Sequence, residues 1–257
     1  MEIMKTCVLA SGSEGNVTYV ETSNHKILFD AGTNVKYIKE RLSELSVSIG
    51  DIDYILITHV HDDHIKALKG IIKKYNPTIC LSEIMYSELD FLHDYKNIML
   101  YGDEIELEDC KIEIIKTSHD TTDARSFIIR SENKSIVYLT DTGYINQKYF
   151  RKLYNNNIYL FESNHDIEML LNGPYPKWLK DRVMGTKGHL SNKDSSIYLA
   201  KLIGPETSKI VLTHLSHKNN TEEKAMETIK ETFIEYDIEF TNITCARQKE
   251  KSELMEI

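Results

Sequence analysis

Tyr54-Ile55-Leu56-Ile57-Thr58-His59-Val60-His61-Asp62-Asp63-His64 passes from an apolar run into a polar turn, and an amphipathic helix is expected to start near Ile65. A turn at a strand's end can project consecutive side chains inward, which a continuing strand or helix cannot do. His59 and His61 lie two apart and point the same way in extended chain. Asp63 and His64 fall just past the bend, where they can serve a second ion. Three histidines and an aspartate within six residues offer the imidazole and carboxylate donors that zinc, manganese or iron(II) accept. A histidine-rich helix cap is the bland alternative. It would explain one such histidine, not four ligand-type side chains behind one buried strand.

Outward from this segment, strand-like and helix-like runs alternate. β-Branched and aromatic residues mark strands at Glu2–Ala10, Val17–Thr22, Lys26–Asp30, Tyr54–Thr58, Thr78–Leu81, Glu104–Leu107, Lys111–Thr117, Ala124–Ser131 and Ser135–Thr140. Two further apolar runs, Ile158–Phe161 and Lys209–Thr213, read the same way. A 3.6-residue apolar spacing predicts helices over Val35–Leu45, Ile65–Tyr75, Ser191–Ile203 and Thr221–Tyr236. Residues 97–141 read almost wholly as strand, with a hairpin turn at Ser131-Glu132-Asn133-Lys134. No internal repeat and no Pro/Gly/Ser linker is visible. A single α/β (α+β) domain over residues 1–257 is expected, with a frayed mixed-charge tail at Arg247–Ile257.

At 41% hydrophobic and 28% charged residues, the composition is that of a soluble globular protein. No stretch approaches the roughly 20 apolar residues needed to span a bilayer. The apolar run Cys7–Ala10 is too short for a signal-peptide core and reads as a first strand. The four cysteines form no CxxC pair, so neither a disulfide framework nor a thiolate zinc site is expected, and a reducing cytoplasm is the default setting. The formal net charge of −9 argues against coating nucleic acid through bulk electrostatics. It leaves a nuclease open, because bound divalent cations reverse the local field.

Thr58-His59-Val60-His61-Asp62-Asp63-His64 resembles the HxHxDH signature of the metallo-β-lactamase superfamily, and the other motifs of that family stand in the expected order. Leu28-Phe29-Asp30-Ala31-Gly32 is similar to the first motif, Ser118-His119-Asp120 to the third, Thr140-Asp141-Thr142-Gly143 to the fourth and Thr213-His214-Leu215-Ser216 to the fifth. The resemblance covers residues 3–217. It implies a four-layer αββα sandwich of two mixed sheets with helices outside. It also implies two divalent ions (zinc, manganese or iron), with His59, His61 and His119 on one and Asp63, His64 and His214 on the other. Asp141 would bridge both ions, and Asp30 would orient the metal loop from behind. Such a site supplies a hydroxide nucleophile at neutral pH, with Asp63 among its catalytic residues. A glutamate at the place of His61 would have pointed to oxygen- or NO-reducing relatives. The histidine favours hydrolysis.

The stretch between Asp141 and His214 separates the branches. Lys187-Gly188-His189-Leu190-Ser191-Asn192 leads into a helix capped by Ser191 or Asn192. It is similar to the setting in which phosphodiesterases of the superfamily place a histidine facing the scissile phosphate. His189 is the candidate phosphate contact or general acid; a structural helix-capping histidine is the competing reading. His165, in Phe161-Glu162-Ser163-Asn164-His165-Asp166, fits a supporting position, a substrate contact or a plain structural role. His119 and Asp141 are only 22 positions apart, and Asp141 and His214 73 apart. Those gaps leave no room for the long arm of tRNA 3′-processing enzymes or the extra domain of RNA-cleaving relatives. The pattern is also similar to the YycJ/WalJ type of small bacterial members. That resemblance rests on Leu9-Ala10-Ser11-Gly12-Ser13-Glu14-Gly15-Asn16, Glu162-Ser163-Asn164-His165-Asp166, Tyr175-Pro176-Lys177, Gly188 to Asn192 and His214-Leu215-Ser216-His217-Lys218-Asn219-Asn220. It implies exonuclease action on DNA.

Some residues stay open between two readings. The Ser11–Asn16 loop either lines the mouth of the site, through Ser11 and Asn16, or is a mere hairpin turn. Lys177, Lys180, Arg182, Lys187 and Lys193 form either a basic rim beside His189 or a solvated helix face. Tyr175 and Trp178 either stack on a base or pack locally beside Pro174 and Pro176. The leading expectation is a metal-dependent phosphodiesterase or nuclease acting on DNA or a nucleotide, with no membrane partner. A hydrolase of a thioester or small cyclic phosphate is the alternative, and a non-catalytic scaffold the third reading.

Overall fold

A computed structural model describes residues 3–257. The first half of the chain builds one sheet. Its strands are β1 (Lys5–Ala10), β2 (Val17–Glu21), β3 (Lys26–Phe29), β4 (Tyr54–Leu56), β5 (Thr78–Leu81) and β6 (Ile98–Leu100). Helices α1 (Val35–Ser43), α2 (Asp62–Ile65), α3 (Leu68–Ile72) and α4 (Glu83–Glu88) connect the later strands. The second half builds the other sheet, from β7 (Glu104–Glu106), β8 (Lys111–Lys116), β9 (Arg125–Ser131), β10 (Lys134–Leu139), β11 (Ile158–Glu162), β12 (Lys209–Thr213) and β13 (Ile243–Cys245). With it come α5 (Phe150–Leu153), α6 (Ile167–Asn172), α7 (Lys177–Met184), α8 (Asn192–Leu202) and α9 (Glu222–Glu235). A last short strand, β14 (Met255–Glu256), returns to the first sheet.

Each sheet has seven strands among the described residues, in the orders β14-β1-β2-β3-β4-β5-β6 and β13-β12-β11-β10-β9-β8-β7. Both are mixed: β1, β2, β3 and β7 to β10 pair antiparallel, while β3 to β6 and β10 to β13 pair parallel. The second sheet shows why the layers stack as they do. Phe127, Ile129, Ile136, Tyr138, Ile158, Leu160 and Val211 join the core shared with the first sheet. Their alternate neighbours Ile128, Val137, Leu139, Tyr159, Phe161, Ile210 and Leu212 pack against Leu199, Ala225, Ile229 and Phe233 of α8 and α9. Period-2 alternation with both faces apolar is what a sheet covered on both sides requires. Phe29 of β3 meets Phe127 and Tyr138 at ring-centroid distances of 5.1 and 5.3 Å, closing the two sheets on each other. The four-layer αββα expectation therefore holds.

Three sequence expectations need correction. The helix expected over Ile65–Tyr75 is broken into α2 and α3. The carbonyls of Asp63 and His64, which a continuous helix would use internally, accept instead from Asn16 N (2.8 Å) and Ala31 N (2.7 Å). Gly32 makes that approach possible, since a Cβ there would lie 1.6 Å from the Asp63 oxygen. The first strand begins at Lys5; Glu2, its expected first residue, lies outside the described residues. The tail is not frayed. Met4 and Ile257 exchange two backbone hydrogen bonds of 3.0 Å, Ser252 N donates to Val8 O (2.8 Å), and β14 pairs with β1. Gln248 also clasps the loop after β1, accepting from Glu14 N (2.9 Å) and donating to Gly15 O (3.0 Å). Charge patterning hid this, because the tail's affinity lies in backbone pairing along a sheet edge.

Removing residues 248–257 is therefore expected to cost about 3 kcal/mol or more, with net hydrogen-bond contributions near 1 kcal/mol each. Thermal unfolding would show it as a fall in Tm of roughly 10 °C. An unchanged Tm would contradict the docking.

Candidate metal centre

The candidate ligands collect just past the C-terminal ends of strands from both sheets. Asp30 follows β3, His59 to His64 follow β4, His119 lies beyond β8, Asp141 beyond β10, and His214 follows β12. Asp30, Asp141 and His214 adopt left-handed backbone with φ of 61°, 53° and 57°. For non-glycine residues that conformation costs about 1–3 kcal/mol each and persists where surrounding structure enforces it. Here it swings each side chain off its strand axis and into one cluster.

The donor atoms form four overlapping groups among the described residues. His59, His61 and His119 present one nitrogen each within 4.8 Å of one another, and so do the donor atoms of Asp63, His64 and His214. Asp141 lies between these two: its carboxylate is 3.1 Å from His64 Nε2, 3.5 Å from His214 Nδ1 and 3.7 Å from His119 Nε2. The seven residues named from the sequence are thus brought together in one cluster, in which His59, His64 and Asp141, and likewise Asp141, Glu162, His189 and His214, also lie close enough to share an ion.

Buried hydrogen bonds hold the rings from behind. Asp30 is fully buried and takes His64 Nδ1 (2.8 Å), Thr58 N (2.8 Å) and the Tyr138 hydroxyl (3.1 Å). Thr58 Oγ1 sits 3.0 Å from His59 Nδ1, and Gly188 O accepts from His119 Nδ1 at 3.2 Å. Asn16 Nδ2 reaches His64 Nε2 at 3.1 Å and Asp63 Oδ2 at 3.4 Å, while Ser11 Oγ accepts from His214 N at 2.7 Å. The contacts at Nδ1 of His59, His64 and His119 fix ring orientation and turn Nε2 of each towards the cluster, where Asn16 Nδ2 meets His64 at that nitrogen.

The electrostatics fit divalent cations. Burial, together with the neighbouring imidazoles, pushes His59 well below the usual histidine range and lowers His119, so both present neutral lone pairs. Burial acts in the same sense on His64 and His214, but the carboxylates override it. Asp30 and Asp141 hold His64 well above its usual range, and Asp141, Asp63 and Glu162 raise His214 to about 10. Burial opposes ionisation of Asp63, Asp141 and Glu162 too, yet their histidine partners keep all three below the usual carboxylate range. Several carboxylates thus face one buried space that positive charge must neutralise. His214 Nε2 is enclosed with no hydrogen-bond partner, 3.9 Å from Asp63 Oδ2. A bound cation satisfies both demands, so the donor set fits divalent metal.

The sequence motif contains Glu162 but assigns it no role. Its carboxylate is fully buried, accepts from His189 Nδ1 (2.7 Å), His214 Nδ1 (3.1 Å) and Thr142 N (2.9 Å), and so ties the motif histidines together. The available signal was an acid closing the otherwise apolar strand Ile158–Phe161. His189 also lies 3.5 Å from Asp141 and lines the same cleft, about 240 Å³, as His61, Asp63, His119 and His214. His165 and Asn192 stand further back. His165 is buried and its carbonyl accepts from Asn192 N, while the Asn192 side chain bonds Ser163 and Asn220. Neither bonds a member of the cluster. Ser191, rather than Asn192, caps α8, accepting from Asp194 N at 3.0 Å.

The basic run does not stay together. Lys193 turns to Glu235 of α9 (2.7 Å), Lys180 caps Leu171 O (2.6 Å), and Arg182 pairs with Asp120 at the rim of the cleft. No residue of α7 is buried, and Trp178 is 65% exposed.

The family described as the metallo-beta-lactamase superfamily matches residues 11–214. Exodeoxyribonuclease YycJ of Bacillus anthracis is 35% identical over 233 residues, 89% of this chain and 88% of that one. Exodeoxyribonuclease WalJ of Streptococcus pneumoniae is 36% identical over 241 residues, 91% and 90% of the two chains. The crystal structure of the metallo-beta-lactamase fold protein YhfI from Bacillus subtilis superposes over the whole of both chains with a TM-score of 0.74 at 16% identity. With its paired sheets, its clustered histidines and carboxylates and this extent of similarity, the chain belongs to the metallo-β-lactamase superfamily.

Proposed function

We propose that the protein is a metal-dependent phosphodiesterase acting on DNA, with two divalent ions of zinc, manganese or iron held by His59, His61 and His119 and by Asp63, His64 and His214, and with Asp141 shared. When bound, such ions supply a nucleophile at neutral pH and neutralise charge on phosphoryl oxygens. The remaining work falls to the chain's own residues. Asp30, Thr58, Asn16 and Ser11 hold the ligands in place. Glu162 accepts from His189 Nδ1, which fixes the ring and leaves Nε2 as the nitrogen available to the cleft. In that position His189 can deliver a proton to the leaving oxygen of a cleaved diester.

The observation that carries the substrate class is this Glu162–His189 pair, set 3.5 Å from Asp141 in the wall of the same cleft. The similarity to two exodeoxyribonucleases along about nine-tenths of the chain supports DNA as the substrate. The free thiols of Cys7, Cys80 and Cys245 support a reducing, cytoplasmic setting, and among the described residues no helix is long and apolar enough to cross a membrane.

Metal-loaded protein is expected to degrade end-labelled DNA, and EDTA to abolish the activity until Mn²⁺ or Zn²⁺ is restored. Intact DNA under metal-loaded conditions, with wild type no different from His59→Ala, would refute the reading.

A further inference from the structure

Beside the metal cleft, a second cleft of about 280 Å³ opens between the loop joining β8 to β9, the segment after β10 and the turn before His189. His119 lines both. Lys116, Lys148 and Lys187 reach the second cleft from three separate segments, and all are exposed. Some lysines of this acidic chain have carboxylate partners, as Lys111 has in Glu104 and Glu106, Lys152 in Glu113 and Lys193 in Glu235, while others, such as Lys39, Lys201 and Lys230, stand alone on separate faces. Among the described residues, Lys116, Lys148 and Lys187 have none. The one carboxylate lining the cleft, Asp123, is occupied by Arg125 at 2.9 and 3.1 Å. Thr117 also lines it. Tyr144, 43% exposed, stands in its wall, and Lys148 Nζ lies 4.8 Å from the Tyr149 ring centroid.

We infer that this groove is the binding track for the nucleic-acid strand on one side of the scissile phosphate. Lys116, Lys148 and Lys187 take successive backbone phosphates, and Tyr144 offers a face for a base. The inference rests on the phosphodiesterase reading and sharpens it. Converging cations without counter-charges repel one another, and a polyanion laid between them removes that repulsion. A small cyclic phosphate would fill the metal cleft and gain nothing from lysines beyond His119. Tyr144 fits sequence-tolerant stacking, as expected where a strand is held by its backbone.

The test compares metal-loaded wild type with the triple variant Lys116→Gln, Lys148→Gln, Lys187→Gln. Binding of a fluorescein-labelled, cleavage-resistant phosphorothioate DNA 12-mer is followed by anisotropy across a salt series. A control variant carries Lys39→Gln, Lys201→Gln and Lys230→Gln, on α1, α8 and α9. The groove variant is expected to weaken Kd at least tenfold and to flatten the log Kd against log salt slope by about 2, given ~0.7 per single-strand phosphate contact. The control variant should shift Kd less than about twofold, and hydrolysis of bis(p-nitrophenyl) phosphate by the groove variant should match wild type. Unchanged DNA affinity, or equal weakening in both variants, would overturn the groove. Failure of wild type to hydrolyse any diester would sink the parent reading instead, and the binding series would still decide the groove.

Discussion

Asp141→Asn is expected to lower phosphodiester turnover at least about a thousandfold in a protein that still folds. Asp141 lies within 3.7 Å of histidines from both donor groups, so its carboxylate is the group through which the two halves of the cluster communicate. Stabilisation of transition-state charge by a bound metal is worth several kcal/mol, and about 4 kcal/mol corresponds to three decades in rate. Asparagine is the informative substitution. It tolerates the left-handed backbone that this position requires (φ 53°) and still accepts from Thr140 Oγ1, so the turn survives while the charge is lost. Single-turnover hydrolysis, with circular dichroism as the folding control, measures the effect. Turnover within tenfold of wild type would show that Asp141 is not a shared ligand.

His189→Ala is expected to lower kcat on DNA by roughly 10²–10³, the range typical for loss of a positioned general acid, with little change in KM or metal content. The discriminating feature is the leaving group. DNA cleavage expels an alkoxide that needs a proton, whereas p-nitrophenolate leaves without one. The variant should therefore remain within about tenfold of wild type on bis(p-nitrophenyl) phosphate, since the remaining loss reflects positioning alone. A histidine that only caps the turn before α8 would depress both substrates equally through a lower Tm. Parallel kcat ratios on the two substrates would remove His189 from the chemistry.

The cluster from His59 to His64 was legible because strand-end geometry and ligand chemistry coincide within a few residues. Its distant members, His119, Asp141 and His214, became legible only through resemblance, since no local pattern sets a lone histidine after an apolar strand apart from a buried core residue. Glu162 escaped for the same reason: its function comes from contacts across β10 and β12 that its own neighbours in sequence do not reveal. The long strands were placed well because both faces of the sheets are covered and β-branched runs record that. Helix α3 and the tail were misjudged because tertiary hydrogen bonds decided them. Asn16 and Ala31 drew away the carbonyls of Asp63 and His64, and the edge of β1 captured residues whose composition suggested a solvated end. The basic run failed as a unit because Lys193 and Lys187 project from different segments, one to α9 and one to the second cleft.

The central claim is that this cluster holds two divalent ions. It is tested most directly by anomalous diffraction from crystals of manganese- or zinc-loaded protein, recorded above and below the metal absorption edge. The account predicts two anomalous peaks, one among His59, His61 and His119 and one among Asp63, His64 and His214, with Asp141 contacting both. A protein saturated with metal that shows no peak there, or a single peak that leaves one donor group without an ion, would contradict it.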